Sequence, residues 1–276
     1  MASIQINMFS KSLMRVVPVH VFLPVDKYTE PGMPVREDKP YKTLYLLHGM
    51  LGNHMDWSML ARVQALSEVY DLAVVMPSGE NGYYVDHPKS HNNYGEFVGK
   101  ELVELTRKMF PLSDKKEDTF IGGLSMGGYG ALRNGLKYSD TFGYIISLSG
   151  ALVTDDMPNR TNEEPLFWRT RDYAEAVFGN LDEIAESDKN PKFIVEQLLK
   201  SQKEIPHIYM ACGKQDDLVA YNIDFADFLK EKGVEATFIL ADGIHDWNFW
   251  SHHIKQAVKW LPVENMGLGI GSGNVK

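Results

Sequence analysis

The stretch Thr119-Phe120-Ile121-Gly122-Gly123-Leu124-Ser125-Met126-Gly127-Gly128-Tyr129-Gly130-Ala131 decides the fold. It opens on a short apolar run, turns through glycines around one serine, and continues into Leu132-Arg133-Asn134-Gly135-Leu136, which reads as a helix. A strand that turns this sharply into a helix forces the serine into a strained backbone shape, where bulky neighbours would clash. Glycine at 123 and 127 meets that demand. The strain lifts the Ser125 hydroxyl clear of the sheet edge, and the new helix points its free N–H groups at the reacting centre. The G-x-S-x-G pattern alone is a weak signal; its place between strand and helix makes it a strong one.

Working outward, similar wholly apolar runs recur at Leu44-Tyr45-Leu46-Leu47, Leu72-Ala73-Val74-Val75-Met76, Tyr144-Ile145-Ile146 and His207-Ile208-Tyr209-Met210. Strands covered on both faces look like this, as in a parallel sheet. Phe238-Ile239-Leu240 reads as the last strand. Helical spacing lies between the runs: Val98, Leu102, Leu105 and Met109 before Pro111; Phe225, Phe228 and Leu229 before Gly233; Trp250, Ile254, Val258 and Leu261 before Pro262. The alternation predicts an α/β fold with a mostly parallel, doubly wound sheet whose strand C-termini share one edge. The front differs. Ile4, Ile6 and Met8, then Val17, Val19, Val21 and Leu23, alternate with other residues and predict antiparallel N-terminal strands. Tyr28 to Tyr41, with its prolines and glycine, reads as a surface loop.

One stretch breaks the alternation. From Ala151 to Glu204 no strand pattern is visible, so an insertion after the sixth strand, lying over the site and carrying short helices, is expected at about 151–204. With 276 residues, 44% hydrophobic, the chain suits a single domain over 1–265. Residues 266–276 read as a flexible Gly-rich tail. A net charge of -9 argues against nucleic acid or an anionic membrane as partner. No apolar run approaches the ~20 residues of a membrane span. Met1 to Phe9 lacks the basic start and apolar stretch of a targeting segment, and Cys212 is the single cysteine. A cytoplasmic location is expected, with a monomer or a homo-oligomer both open.

A serine hydroxyl needs a base, and the base an orienting carboxylate. Four histidines follow Ser125. His207 opens a buried strand, and His252 and His253 sit within the last helix. His245, in the loop Asp242-Gly243-Ile244-His245-Asp246-Trp247, lies just past the last strand and can reach over the serine. Asp216 and Asp217 both follow the strand at 207–210, and periodicity does not separate them as the acid. Asp242 and Asp246 read as exposed or capping residues. Acyl transfer also needs donors for the oxyanion, worth about 3–4 kcal/mol each. The amide of Met126 is one candidate. The other comes from His48-Gly49-Met50-Leu51-Gly52, with Met50 the choice and Leu51 the alternative.

The set Leu46-Leu47-His48-Gly49-Met50, Gly123-Leu124-Ser125-Met126-Gly127-Gly128-Tyr129-Gly130-Ala131, Cys212-Gly213-Lys214-Gln215-Asp216 and Gly243-Ile244-His245-Asp246-Trp247 resembles the esterase D family of α/β-hydrolases. That family includes tributyrin, acetylxylan and feruloyl esterases, S-formylglutathione hydrolases and antigen 85. The resemblance runs from the front strands to Trp260. It implies an α/β-hydrolase fold, Ser125 as nucleophile, Asp216 as acid, His245 as base, and Met50 as second oxyanion donor. The residue after the acid, often aromatic in the family, is Asp217 here. Leu51, Trp57 and Trp247 are expected to bind substrate, and Met50, Met126, Phe167 and Trp168 to help wall the pocket.

The resulting expectation is a serine carboxylesterase cleaving short-chain acyl esters of small molecules, with acetyl or feruloyl esters of plant polysaccharide among the candidates. It calls for no cofactor and no metal. His87 and His91 are four apart, but Pro88 argues against a helix that would pair them. The alternatives are an S-formylglutathione hydrolase and a non-catalytic hydrolase-fold binding protein.

Overall fold

In the computed structural model, residues 1–28, 31–32 and 36–267 are described. Eight strands form one sheet: β1 (Ala2–Ser10), β2 (Arg15–Leu23), β3 (Thr43–Leu47), β4 (Ala73–Pro77), β5 (Thr119–Leu124), β6 (Tyr144–Leu148), β7 (His207–Gly213) and β8 (Ala236–Ala241). Their spatial order is β1-β2-β4-β3-β5-β6-β7-β8, that of an α/β-hydrolase. β1 and β2 pair antiparallel, with Ile4 opposite Val21, Ile6 opposite Val19 and Met8 opposite Val17. The alternating apolar residues thus meet across one face. β2 also runs antiparallel to β4, and from β4 to β8 every pairing is parallel.

The central strands are buried along their length because apolar layers cover both faces. One layer includes Tyr45, Leu47, Ile121, Leu132 and Leu136. The other includes Leu44, Leu46, Phe120, Trp250 and Ile254. The labelled helices are α1 (Asp56–Leu60), α2 (Val63–Val69), α3 (Leu102–Met109), α4 (Met126–Lys137), α5 (Arg171–Phe178), α6 (Pro191–Lys200), α7 (Val219–Glu231) and α8 (Trp247–Trp260). α8 starts on Asp246, whose side chain accepts from the Phe249 amide, so that aspartate is a cap.

Several local expectations change. The helix read from Val98 to Met109 begins as a π-helical turn, Phe97–Glu101, before continuing as α3. A two-stranded ribbon, Asp86–His87 with Asn92–Asn93, was not visible as alternation because each arm has only two residues. His207 is exposed rather than buried and stacks on Tyr144. β8 is an edge strand, half exposed, which its apolar sequence did not indicate. Between β6 and β7 the chain passes through 3-10 turns at Thr154–Asn159, Phe167–Arg169 and Leu181–Glu186, and through α5 and α6. The Gly-rich tail lies outside the described residues beyond Gly267. No helix among the described residues is long and apolar enough to cross a membrane.

The parallel strands deliver their C-terminal ends to one edge. Onto it open the loops after β3 (His48 to Gly52), β5 (Ser125), β6 (Ser149, Gly150), β7 (Lys214 to Leu218) and β8 (Asp242 to Asp246).

Candidate active site

Ser125 sits between β5 and α4 with φ 52° and ψ -118°. This backbone region costs a non-glycine residue on the order of 1–3 kcal/mol and persists only where surrounding contacts over-determine it. Those contacts are present. The Ser125 amide donates to Leu148 O at 2.9 Å, and its carbonyl accepts from the Tyr129 and Ala151 amides, each at 3.0 Å. The flanking glycines follow from close backbone approach. A Cβ on Gly127 would lie 2.5 Å from Leu47 O and 2.6 Å from His48 O. Because backbone cannot yield as a flexible side chain does, Gly127→Ala is expected to lower stability by about 3 kcal/mol. Chemical denaturation would read this as a lower midpoint at unchanged slope.

The loops after β7 and β8 are joined to each other. Lys214 N donates to Ala241 O at 2.8 Å, Gln215 N to Gly243 O at 3.1 Å, and Gly243 N to Gln215 Oε1 at 2.8 Å. A Cβ on Gly213 would meet Gly243 O at 2.2 Å, so only glycine allows this approach. The junction sets Asp216 beneath His245. The imidazole Nδ1–H faces both Asp216 carboxylate oxygens, at 3.0 and 2.9 Å, and Nε2 is 3.0 Å from Ser125 Oγ. His245 also meets Trp250 edge-on, with ring centroids 4.8 Å apart.

Asp216 and Asp217, inseparable by sequence spacing, occupy different surroundings. Asp216 is 3% exposed and also accepts from the Leu218 amide at 2.8 Å, whereas Asp217 is exposed. Burial pushes the Asp216 carboxyl upward. Hydrogen bonds from His245, the Leu218 amide and Ser149 outweigh it and hold the group below the ordinary carboxylate value. Asp216 is therefore ionised at neutral pH and suited to hold His245 with Nδ1 protonated. Asp242 pairs with Lys214.

The amides of Met50 and Met126 make no hydrogen bond to protein groups among the described residues. The Leu51 amide donates to Asn81 Oδ1 at 2.8 Å. Of the two sequence candidates on this loop, Met50 thus has the free donor. His48 shapes the turn. Its Nδ1–H donates to Gly49 O at 2.7 Å, and its Nε2 accepts from the Gly79 amide at 2.8 Å. Burial lowers its pKa, consistent with a neutral ring that bridges two loops. α5 braces the same loops: the Tyr173 hydroxyl donates to Asn81 O and lies 3.7 Å from Met50 Sδ.

A cleft of about 410 Å³ opens over Ser125 and His245, bordered by Met50, Leu51, Met126, Trp168 and Trp247. Trp57, expected at the substrate wall, is not part of that lining. It is 1% exposed, donates to Leu47 O at 2.9 Å and packs edge-on against Trp247. It underpins the wall and does not form it. Phe167 packs outside the cleft on Trp168 and Tyr173. Cys212 is buried, its thiol pushed up to about 12 by burial, and is no competing nucleophile.

Sequence reasoning missed Ser149, Arg160 and Arg169. Ser149 is fully buried with φ 47°, accepts from Trp250 Nε1 at 3.1 Å and helps to hold the Asp216 pKa down. A polar residue closing an apolar strand just before Gly150 was the available signal. Arg160 and Arg169 border the cleft from the 151–204 stretch, where no periodicity singled them out.

The strand order and the strained serine turn define a serine hydrolase of the α/β-hydrolase fold. The chain belongs to the esterase family: the putative-esterase family profile matches residues 10–261. An acetyl esterase of Caldicellulosiruptor saccharolyticus is 44% identical over 261 residues, covering 95% of this chain and 98% of that one. Two solved structures from Staphylococcus aureus are similar, each 30% identical and covering 94% of this chain and 98% of theirs. They are the fluorophosphonate-binding serine hydrolase FphF, at a TM-score of 0.81, and the S-formylglutathione hydrolase FrmB, at 0.80. The chain is thus a serine esterase acting on carboxylic esters.

Proposed function

We propose that this protein hydrolyses short-chain acyl esters, acetyl esters foremost, using Ser125 as nucleophile, His245 as general base and Asp216 as orienting acid. The unbroken hydrogen-bonded path from Asp216 through His245 to Ser125 carries this reading. Ser125 Oγ attacks the ester carbonyl as His245 Nε2 takes its proton. Negative charge grows on the carbonyl oxygen, toward which the Met50 and Met126 amides donate. The C–O bond to the alcohol breaks as His245 returns the proton to the leaving oxygen. Water, deprotonated by His245, then cleaves the acyl-enzyme and frees Ser125.

Leu51 and Trp247 contact the substrate in this reading, and the relative named acetyl esterase supports the choice of acyl group. Residues 1–265 act as one domain, with 151–204 over the site. A small-molecule ester is the partner, and a cytoplasmic enzyme, monomeric or self-associated, fits the reading. The similarity to an S-formylglutathione hydrolase favours a thioester as the second reading. Comparing kcat/KM on acetylated sugars, feruloyl esters, aryl acetates and S-formylglutathione tests the choice. Acetyl esters are expected to lead, and a dominant formyl thioester would replace them.

A further inference from the structure

The 151–204 stretch contributes two cations to the cleft, whose other borders carry two carboxylates, Asp56 and Asp217. Arg160 is half buried and Arg169 exposed, and both border the space over Ser125 together with Leu166, Trp168 and Val153. A third arginine from the same stretch behaves differently. Arg171 pairs with Glu175 at 2.7 Å and donates to Pro158 O at 3.0 Å. Neither Arg160 nor Arg169 forms an ion pair with a carboxylate among the described residues, although the chain carries nine more acidic than basic charges.

Arg160 is held in place. One of its guanidinium nitrogens, Nη1, donates to Trp168 O at 2.9 Å. Keeping a half-buried guanidinium with no carboxylate in direct contact is unfavourable, and an incoming anion that pairs with it would relieve that cost. The planar fork is suited to a carboxylate, which can accept two hydrogen bonds at once.

We propose that Arg160 and Arg169 form an anion subsite that makes this esterase prefer esters carrying a carboxylate away from the reacting carbonyl. The inference rests on the esterase reading above and names the substrate class of the same cleft. The covalent chemistry is unchanged: Ser125 Oγ bonds to the acyl carbon, the ester C–O bond breaks, the alcohol leaves with a proton, and water releases the acid. The arginines touch only the distal carboxylate. Two acidic side chains also border the cleft: Asp217 beside the triad acid, and Asp56, which accepts from the Asn53 amide on the loop after β3. Like-charge repulsion directs a distal carboxylate away from both and toward the arginines.

The test uses matched esters. 4-Nitrophenyl hemisuccinate and its methyl ester, methyl 4-nitrophenyl succinate, place or omit a carboxylate on the same acyl half. 4-Acetoxybenzoate and its methyl ester do so on the alcohol half. The quantity read is the ratio of kcat/KM, charged over neutral, for the wild type, Arg169→Gln, Arg160→Gln, Arg160→Lys and the double Gln variant. In at least one pair the wild-type ratio is expected to exceed one. It should fall about tenfold in the double variant, mainly through KM, and recover partly in Arg160→Lys. Added salt should shrink the wild-type ratio. The pair that responds locates the subsite on the acyl or the alcohol side. Arg169→Gln alters an exposed side chain, so its ratio remains readable if Arg160 variants fold poorly. Wild-type ratios at or below one in both pairs, or ratios unmoved by Arg169→Gln and the double variant, would overturn the subsite while neutral-ester turnover persisted. Failure of the esterase reading itself would look different, as no turnover of any of the four esters.

Discussion

Ser125→Ala is expected to lower kcat on an aryl acetate by about 10⁵-fold or more, with little change in thermal unfolding. Loss of the attacking oxygen removes the acyl-enzyme route, and His245 and Asp216 cannot act on the ester without it. The residual rate would come from the oxyanion donors and substrate positioning alone. The fold should tolerate the change. Ser125 is fixed by backbone hydrogen bonds to Leu148, Tyr129 and Ala151, and alanine preserves all three. Steady-state kinetics with calorimetry on the same sample separates the two effects. A variant retaining wild-type turnover would remove Ser125 from the chemistry.

The second large effect is expected from Asp216→Asn. An amide at this position can present its NH₂ to His245 Nδ1 and favour the wrong imidazole tautomer, which costs about 10³–10⁴-fold in kcat. Asp217→Asn changes an exposed carboxylate with no path to His245, and its loss should be at least about a hundredfold smaller. Comparing kcat for the two variants on one ester checks the assignment. Equal losses, or the reverse order, would transfer the acid role to Asp217.

The site was partly legible because its chemistry is tied to backbone demands that leave a mark in sequence. Gly123 and Gly127 are present because Cβ atoms there would strike backbone oxygens, and a run of glycines around a serine is visible without coordinates. His245 was legible by elimination, since it follows the last parallel strand and precedes the last helix. The central strands were legible because burial on both faces leaves uninterrupted apolar runs.

What was not legible depends on direction and depth. Adjacent aspartates at a strand end differ by which one turns inward, and neither composition nor period records that. Trp57 and Trp247 are both tryptophans beside catalytic loops. One lies behind the other, a layering that a linear string does not carry. β8 is as apolar in sequence as a central strand yet sits at the sheet edge, because neighbour order is a global property. Arg160 and Arg169 come from a stretch of irregular turns, where no period predicts which side chains face the cleft. Ser149 acts through two partners, Trp250 and Asp216, that are distant in sequence.

The central claim is that the Ser125 hydroxyl is activated by His245. Treating the protein with a fluorophosphonate and mapping the product by mass spectrometry tests it most directly. The serine oxygen should form a P–O bond as fluoride leaves. One adduct is expected, on the peptide carrying Ser125, formed far more slowly in His245→Ala. No adduct, a modification at another residue, or labelling at Ser125 that ignores the loss of His245 would contradict it.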